Sequence, residues 1–196
     1  MSDDNDSSIR IVLLGEAGGG KTNLINNYFD LAFNSNKAST ISAESMDGIV
    51  EIDNRKFSIC IWDTAGQEKY RSITKIFIKG AKIVIFVYDI TEELSFTNLG
   101  FWVDSVEELL GKDPILGLVG NKIDLFNNQT VKTEQGKEYA KKIGAKFCET
   151  SAKEDKATFK KFVNELVENY VQGKGMFNDE ININLNKKNK KEECSC

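Results

Sequence analysis

The order of hydrophobic and polar segments along the chain predicts strands and helices that follow one another. Short apolar runs typical of strands lie at 9–14, 48–52, 57–62, 82–88, 115–119 and 146–148. Helices are predicted over 22–29, 70–78, 94–110, 134–143 and 155–171, with apolar residues three and four apart clearest in the last. Strands that alternate with helices are typical of a doubly wound, mainly parallel sheet, which binds ligands at the carboxyl ends of its strands.

The connections between these elements carry their own signals. The runs 48–52 and 57–62 flank Asp53 and Asn54, so they are expected to form a hairpin. Residues 33–45 show no periodicity and are predicted to form a long loop beside the ligand site. Thr133 is expected to cap the helix at 134–143.

Residues 15–22, GEAGGGKT, join the first predicted strand to the first predicted helix. Gly15 and Gly20 permit backbone conformations that let successive N–H groups point at one anion. Lys21 would reach the β- and γ-phosphates of a nucleotide, and the Thr22 hydroxyl would bind Mg²⁺. An ordinary glycine-rich turn is the alternative, but the strand–loop–helix context favours a P-loop.

Two later segments add a candidate metal ligand and a candidate base-binding site. Asp63 ends a predicted strand, where it would hold Mg²⁺, and the Gly66 N–H would meet a terminal phosphate; alone, this segment could equally be a turn. The Asp124 carboxylate can accept hydrogen bonds from the N1–H and the 2-amino group of guanine, neither of which adenine has. The site would therefore select guanine. The Ala152 N–H is expected to meet guanine O6.

Composition narrows the function classes. Apolar content of 40% and charged content of 29% indicate a soluble globular protein, and a net charge of −4 argues against nucleic-acid binding. With no histidine in the chain, imidazole bases and histidine metal ligands are excluded. The acidic first residues do not resemble a signal peptide, and no apolar run is long enough to span a bilayer. Cys60 and Cys148 fall in predicted strands and are interpreted as reduced core residues. Together these features indicate the cytosol.

The runs GEAGGGKT, STIS, WDTAGQEKYRSIT, GNKIDL and ETSAK resemble those of the small-GTPase superfamily, and most closely those of its Rab family. The resemblance covers about residues 9–172. It implies an α/β fold of the P-loop NTPase class, the Ras-like G domain, with a six-stranded, mostly parallel sheet, one antiparallel strand and helices on both faces. The implied activity is slow hydrolysis of GTP to GDP and phosphate by a monomer.

The resemblance also implies a set of site residues. Gln67 orients the attacking water, and Lys21 and Gly66 complete the catalytic group. Thr40 joins Thr22 and Asp63 as a Mg²⁺ ligand, and Phe33 packs edge-on against guanine. The implied GTP and GDP contacts are Ala17, Gly18, Gly19, Gly20, Lys21, Thr22, Asn23, Phe33, Thr40, Gly66, Asn121, Lys122, Asp124, Ser151, Ala152 and Lys153.

The end of the chain carries a second implied function. Cys194 and Cys196 resemble the double-geranylgeranylation signal of Rab proteins, which would hold the protein on an endomembrane; an incidental thiol pair is the alternative. Residues 173–196 are then a flexible tail, and 1–8 an acidic extension before the GTPase domain at 9–172. The implied partners are an exchange factor, a GTPase-activating protein (GAP), GDP-dissociation inhibitor or Rab escort protein, and effectors. Ser39–Ala43 faintly resembles early-endosomal members.

Four residues depart from the usual Rab pattern. Ser42 and Ser45 stand where glycine and an aromatic effector contact, phenylalanine, are usual, and Ala17 and Gly19 are less usual P-loop residues. Ala17 adds a methyl near the γ-phosphate, and Gly19 adds flexibility, so normal nucleotide affinity with slow hydrolysis is expected. A GTP-locked scaffold with little turnover stays open, whereas an ATP-dependent kinase conflicts with Asp124.

Overall fold

The computed structural model describes residues 8–33, 44–64 and 71–174. Its strands are β1 (Ile9–Leu14), β2 (Glu44–Ile52), β3 (Arg55–Asp63), β4 (Ile83–Asp89), β5 (Ile115–Asn121) and β6 (Lys146–Thr150). Within the described residues they form a six-stranded sheet in the order β2-β3-β1-β4-β5-β6. Only β2 runs antiparallel to its neighbour, which confirms the expected topology.

The helices are α1 (Lys21–Tyr28), α2 (Arg71–Ile78), α3 (Glu93–Thr97), α4 (Leu99–Leu110), α5 (Thr133–Ile143) and α6 (Thr158–Gly173). A 3₁₀ helix at Ile123–Asn128 follows β5. None of the helices in the described ranges is long and apolar enough to cross a membrane. The helices lie on both faces of the sheet, which places the strand-to-helix loops along one edge.

Both faces of the sheet are buried, which explains why β1 is almost wholly apolar. Ile11 and Leu13 pack into a core that includes Phe159 and Leu166 of α6. Val12 points to the opposite core, which includes residues of α4 such as Trp102. Side chains alternate along a strand, so a strand covered by helices on both sides is apolar at nearly every position; Arg10, near the start of β1, is the exception.

The predicted hairpin is confirmed. Asp53 and Asn54 both have positive φ, at 49° and 62°. Those angles suit a two-residue type I′ turn, whose twist matches that of antiparallel strands. Asp and Asn tolerate positive φ better than most residues. β2 begins at Glu44, so the last two residues of the predicted loop at 33–45 belong to a strand; residues 34–43 lie outside the described chain.

Two local predictions are wrong. The helix predicted over 94–110 is two helices, because Asn98 has a ψ of −5° and interrupts the helical backbone. Thr133 does not cap α5 but is its first residue, and its hydroxyl donates instead to the Glu149 carboxylate, at 3.0 Å. The backbone N–H of Lys132 is satisfied by the Gln135 side chain, at 2.8 Å.

Candidate functional site

The loop between β1 and α1 approaches two neighbouring segments closely. A Cβ at Gly15 would lie 2.1 Å from the Val87 carbonyl oxygen, and one at Gly20 would lie 2.3 Å from Asn121 Nδ2. Both glycines also have positive φ, so no other residue fits there without strain. Gly19 is different, because a Cβ there would meet its nearest neighbour at an ordinary 3.4 Å.

Lys21 is the first residue of α1, and its charged end lies under this loop. Its side chain is 5% exposed, and Nζ donates to the carbonyl oxygens of Gly15, at 2.8 Å, and Glu16, at 3.0 Å. Burial lowers the pKa of Lys21 to about 8, although the charges of Asp63 and Glu16 oppose the shift. The loop is therefore wrapped around a lysine that water does not solvate.

Thr22 and Asp63 bring two oxygen ligands together from distant parts of the chain. Thr22 Oγ1 donates to Asp63 Oδ2 at 2.6 Å, and Asp63 is buried at the end of β3. Next along the chain, Thr64 donates its hydroxyl to the Leu13 carbonyl oxygen at 2.6 Å. The ends of β1 and β3 are thus held beside each other, so the hydroxyl and carboxylate have fixed positions.

We expect Thr64→Val to lower the free energy of unfolding by about 1–3 kcal/mol, because the near-isosteric valine leaves a buried carbonyl without its donor. Urea denaturation of the two proteins measures the difference. Thr97→Val is the matched control, since the Thr97 hydroxyl also donates to a carbonyl but on an exposed helix surface. Equal losses at the two positions would contradict the prediction.

Asn121 connects this loop to the loop after β6. Its side chain is 1% exposed; Nδ2 donates to the Gly19 carbonyl oxygen at 2.9 Å, and Oδ1 accepts from the Ala152 N–H at 3.1 Å. The sequence names Asn121 and Ala152 as separate site residues, and the structure shows one side chain fixing both loops. The Ala152 N–H that is expected to meet guanine O6 donates to Asn121 here.

Asp124 lies beside the same loop. Its carboxylate is 7% exposed, accepts from Ser151 Oγ at 2.6 Å and lies 4.0 Å from Lys153 Nζ. The Ser151 hydroxyl oxygen accepts from the backbone N–H groups of Lys153, at 3.2 Å, and Glu154, at 3.0 Å. The carboxylate is therefore held in one orientation by a serine that is itself anchored to its loop.

The structure reveals a partner of Lys122 that the sequence motifs do not include. Lys122 has a positive φ of 72°, and its Nζ forms an ion pair with the carboxylate of Asp89, at the end of β4. Asp89 Oδ1 accepts from the Thr91 N–H and hydroxyl, at 2.9 and 2.7 Å. The sequence did contain a signal for Asp89, because it is the one charged residue in β4 and stands at the end of that strand.

The remaining candidate residues divide into two groups. Ala17 and Gly18 are exposed at the tip of the loop, Asn23 is on α1, and Phe33 is 43% exposed near the end of a described range. Thr40, Gly66, Gln67, Cys194 and Cys196 lie outside the described residues. The roles of both groups stay predictions.

Comparison with known proteins covers almost the same range as the sheet and helices. The model of the Ras family matches residues 10–172. The chain is 40% identical over 152 residues to GTP-binding protein ypt3 of Schizosaccharomyces pombe, covering 78% of this chain and 71% of that protein. It is 39% identical over 153 residues to human Ras-related protein Rab-8B, covering 78% and 74% of the two chains.

Proposed function

Because this chain belongs to the Ras family, and within it to the Rab small GTPases, which hydrolyse GTP, we propose that it is a nucleotide-controlled switch in vesicle-mediated membrane traffic. The observation that carries the proposal is the position of the Asn121 side chain. It joins the glycine loop after β1 to the loop after β6, in which Ser151 orients the Asp124 carboxylate. A nucleotide has its phosphates and its base at opposite ends, and these two loops offer matching chemistry. Residues 9–172 form the proposed GTPase domain, with 1–8 as an extension and 173–196 as a tail.

The first loop supplies the proposed phosphate contacts. Successive N–H groups of Ala17, Gly18, Gly19 and Gly20 face the β-phosphate at the N-terminus of α1, with those of Lys21, Thr22 and Asn23 completing the cradle. Lys21 already lies beneath the loop, where its Nζ donates to two carbonyl oxygens. A bound phosphate would add the negative charge that these neutral acceptors lack. No large rearrangement of its side chain is required.

Thr22 and Asp63 fit a small hard cation. Mg²⁺ prefers oxygen ligands and takes its remaining positions from water and substrate phosphates, and these two residues present a hydroxyl and a carboxylate in contact. Thr40 is the third proposed protein ligand. When bound, Mg²⁺ would neutralise charge on the phosphate oxygens. The protein's part is to fix the two oxygens, which β1, β3 and α1 do.

The proposed guanine site lies between the loops after β5 and β6. Asp124 accepts from the base, while Ser151 holds the carboxylate and Lys153 lies beside it. Lys122, fixed by its ion pair, lies along one face of the base, and Phe33 packs edge-on against it. The Ala152 N–H, which donates to Asn121 Oδ1, shares its hydrogen with guanine O6, so O6, N1–H and the 2-amino group on one edge of the base are all read.

Hydrolysis in this proposal depends on positioning and on electrostatics. Gln67 aligns a water for in-line attack, and Lys21 and the Gly66 N–H offset charge that develops on the γ-phosphate. Thr40 and Gly66 contact the γ-phosphate before hydrolysis and are released after it, which effectors detect. The proposed catalytic and nucleotide-binding residues include no arginine for the transition state, so a GAP accelerates the reaction and an exchange factor reloads the site.

The proposed membrane attachment uses two lipid chains. Geranylgeranyl groups on Cys194 and Cys196 give stable anchoring where one chain gives marginal binding. The protein then moves between the cytosol, carried by GDP-dissociation inhibitor or Rab escort protein, and the cytoplasmic face of an endomembrane. An endosomal membrane is the proposed location, from the faint resemblance of Ser39–Ala43.

The test is to measure the nucleotide that copurifies with the full chain, followed by single-turnover hydrolysis of loaded GTP with Mg²⁺. We expect copurified GDP and slow turnover that Gln67→Leu slows further. An empty site, or one that contains ATP, would refute the guanine assignment. GTP that is never hydrolysed by the wild type, even with a cell lysate as a source of GAP, would refute the switch.

A further inference from the structure

A second asparagine, Asn27, contacts the base-side loop from α1. It is 5% exposed, and its Nδ2 donates to the carbonyl oxygens of Ala152, at 3.2 Å, and Asp155, at 3.1 Å. None of the motifs includes this residue. Asn27 lies in the last turn of α1, and its burial is unusual because a buried polar group is costly without partners.

The contacts of Asn27 fix which side of its amide faces the loop. Both neighbours are carbonyl oxygens, which can only accept, so the NH₂ group must point at them. The other side of the amide, Oδ1, is buried and accepts no hydrogen bond from any residue in the described ranges. The residue therefore acts as a donor of two hydrogen bonds to one loop.

The backbone of Ala152 is held on both sides of its Cα. Its N–H donates to Asn121 and its carbonyl oxygen accepts from Asn27. The second acceptor, Asp155, is fixed in turn, since its carboxylate accepts from the N–H groups of Ala157, at 3.1 Å, and Thr158, at 3.0 Å, at the start of α6. Desolvation raises the pKa of the Asp155 carboxyl, but hydrogen bonds from the Thr158 side chain and from these two N–H groups outweigh it, so the pKa is lowered.

The two asparagines start from different parts of the phosphate side. Asn121 contacts the glycine loop at Gly19, whereas Asn27 is on the same helix as Lys21 and Thr22. A shift of α1 is thereby transmitted to the base-side loop, and a shift of that loop is transmitted to α1. Coupling through a buried, fully oriented amide is stiff, because breaking it leaves two carbonyl groups without a donor.

We infer that Asn27 is a positioning residue that holds the base-binding loop to the phosphate-binding helix and so prolongs the residence of the bound nucleotide. The inference rests on the proposed function, because it assigns Ala152 and its neighbours to the base. Asn27 touches neither the reacting phosphate nor the water in this scheme. Its loss should act mainly on nucleotide release and much less on the hydrolysis of GTP already bound.

The experiment measures release of fluorescently labelled GDP from the Mg²⁺-loaded full chain, chased with excess unlabelled GDP. Asn27→Asp turns a carboxylate toward two carbonyl oxygens, so we expect release about tenfold faster or more. Asn27→Ala removes the donors without adding repulsion, and its release rate should lie between those of the wild type and Asn27→Asp. Asn26→Asp is the matched control, since it introduces the same charge at a partly exposed neighbouring position.

Single-turnover hydrolysis of loaded GTP is measured on the same proteins. The inference holds if release accelerates by a larger factor than hydrolysis changes. It is overturned if Asn27→Asp and Asn27→Ala both release GDP as slowly as Asn26→Asp. It is also overturned if release and hydrolysis change by the same factor, because a general loosening of the fold would produce that result. If Asn27→Asp does not fold, Asn27→Ala decides the outcome. A wild type that binds no guanine nucleotide would instead refute the proposed function.

Discussion

Asp124→Asn is expected to weaken GDP binding by about 10²–10⁴-fold while leaving the fold intact. The carboxylate accepts two hydrogen bonds from guanine in the proposed site, and each hydrogen bond to a charged group contributes about 1.5–3 kcal/mol. Asparagine has a single oxygen, so its NH₂ group would face the 2-amino group of guanine, donor against donor. Isothermal titration with GDP and Mg²⁺ measures the loss.

The same substitution should improve binding of xanthosine diphosphate, which has an oxygen in place of the 2-amino group. An asparagine amide can then accept from N1–H and donate to that oxygen, so the pairing is restored. Asp113→Asn is the matched control, because it removes one negative charge at an exposed position. If Asp124→Asn and Asp113→Asn bound GDP equally well, Asp124 would not read the base.

Much of the fold could be predicted because periodicity reports burial. β1 and β4 are apolar at nearly every position, and α6 buries its apolar residues three and four apart, so each element was evident from the chain alone. The hairpin was evident because Asp53 and Asn54 suit a turn that needs positive φ. These are local signals that depend on one segment at a time.

The two errors arise where a distant partner or a single backbone angle decides the local structure. Thr133 is a good capping residue by type, yet its hydroxyl is used by Glu149, sixteen residues later in the chain. The break at Asn98 depends on a backbone angle that the apolar pattern spans without interruption. A spacing rule cannot foresee either case, because the deciding contact or angle is not encoded in the spacing.

The candidate site shows the same division. Motif spacing identified Lys21, Asn121 and Asp124, but it did not identify Asp89 or Asn27, whose importance follows only from what they contact. A lone aspartate after a strand and a lone asparagine in a helix have many ordinary explanations. Motifs name residues that would contact the nucleotide, whereas the residues that hold those contacts in place are found from geometry.

Ser45 illustrates how one departure changes a surface. It pairs in register with Trp62 on the neighbouring strand and is exposed. Trp62 packs against Phe77, with ring centroids 5.1 Å apart, and the Arg10 guanidinium lies 4.8 Å from its ring. A small hydroxyl therefore borders this cluster of Trp62, Phe77 and Arg10 on the surface of the sheet.

Lys21→Met is expected to weaken binding of GDP and GTP by about 10²–10³-fold. The lysine makes charge-assisted contacts to phosphate oxygens, whereas methionine has similar length but neither charge nor donors. Part of the loss comes from the loop, since the Gly15 and Glu16 carbonyl oxygens lose their donor. Lys161→Met, on an exposed part of α6, is the matched control and should bind as the wild type does.

The pH dependence separates the charge of Lys21 from its support of the loop. Burial lowers the pKa of Lys21 to about 8, and a bound phosphate favours the charged form and so raises that pKa. Binding above pH 8 therefore takes up a proton, so affinity should stay level below about 8 and fall as the pH rises further, by at most about tenfold per pH unit. Guanine loses its own N1 proton at high pH in either protein, so the difference between wild type and Lys21→Met isolates the lysine. Parallel profiles for the two would mean that Lys21 acts on the loop alone, because only a titrating ammonium makes the wild-type curve steeper.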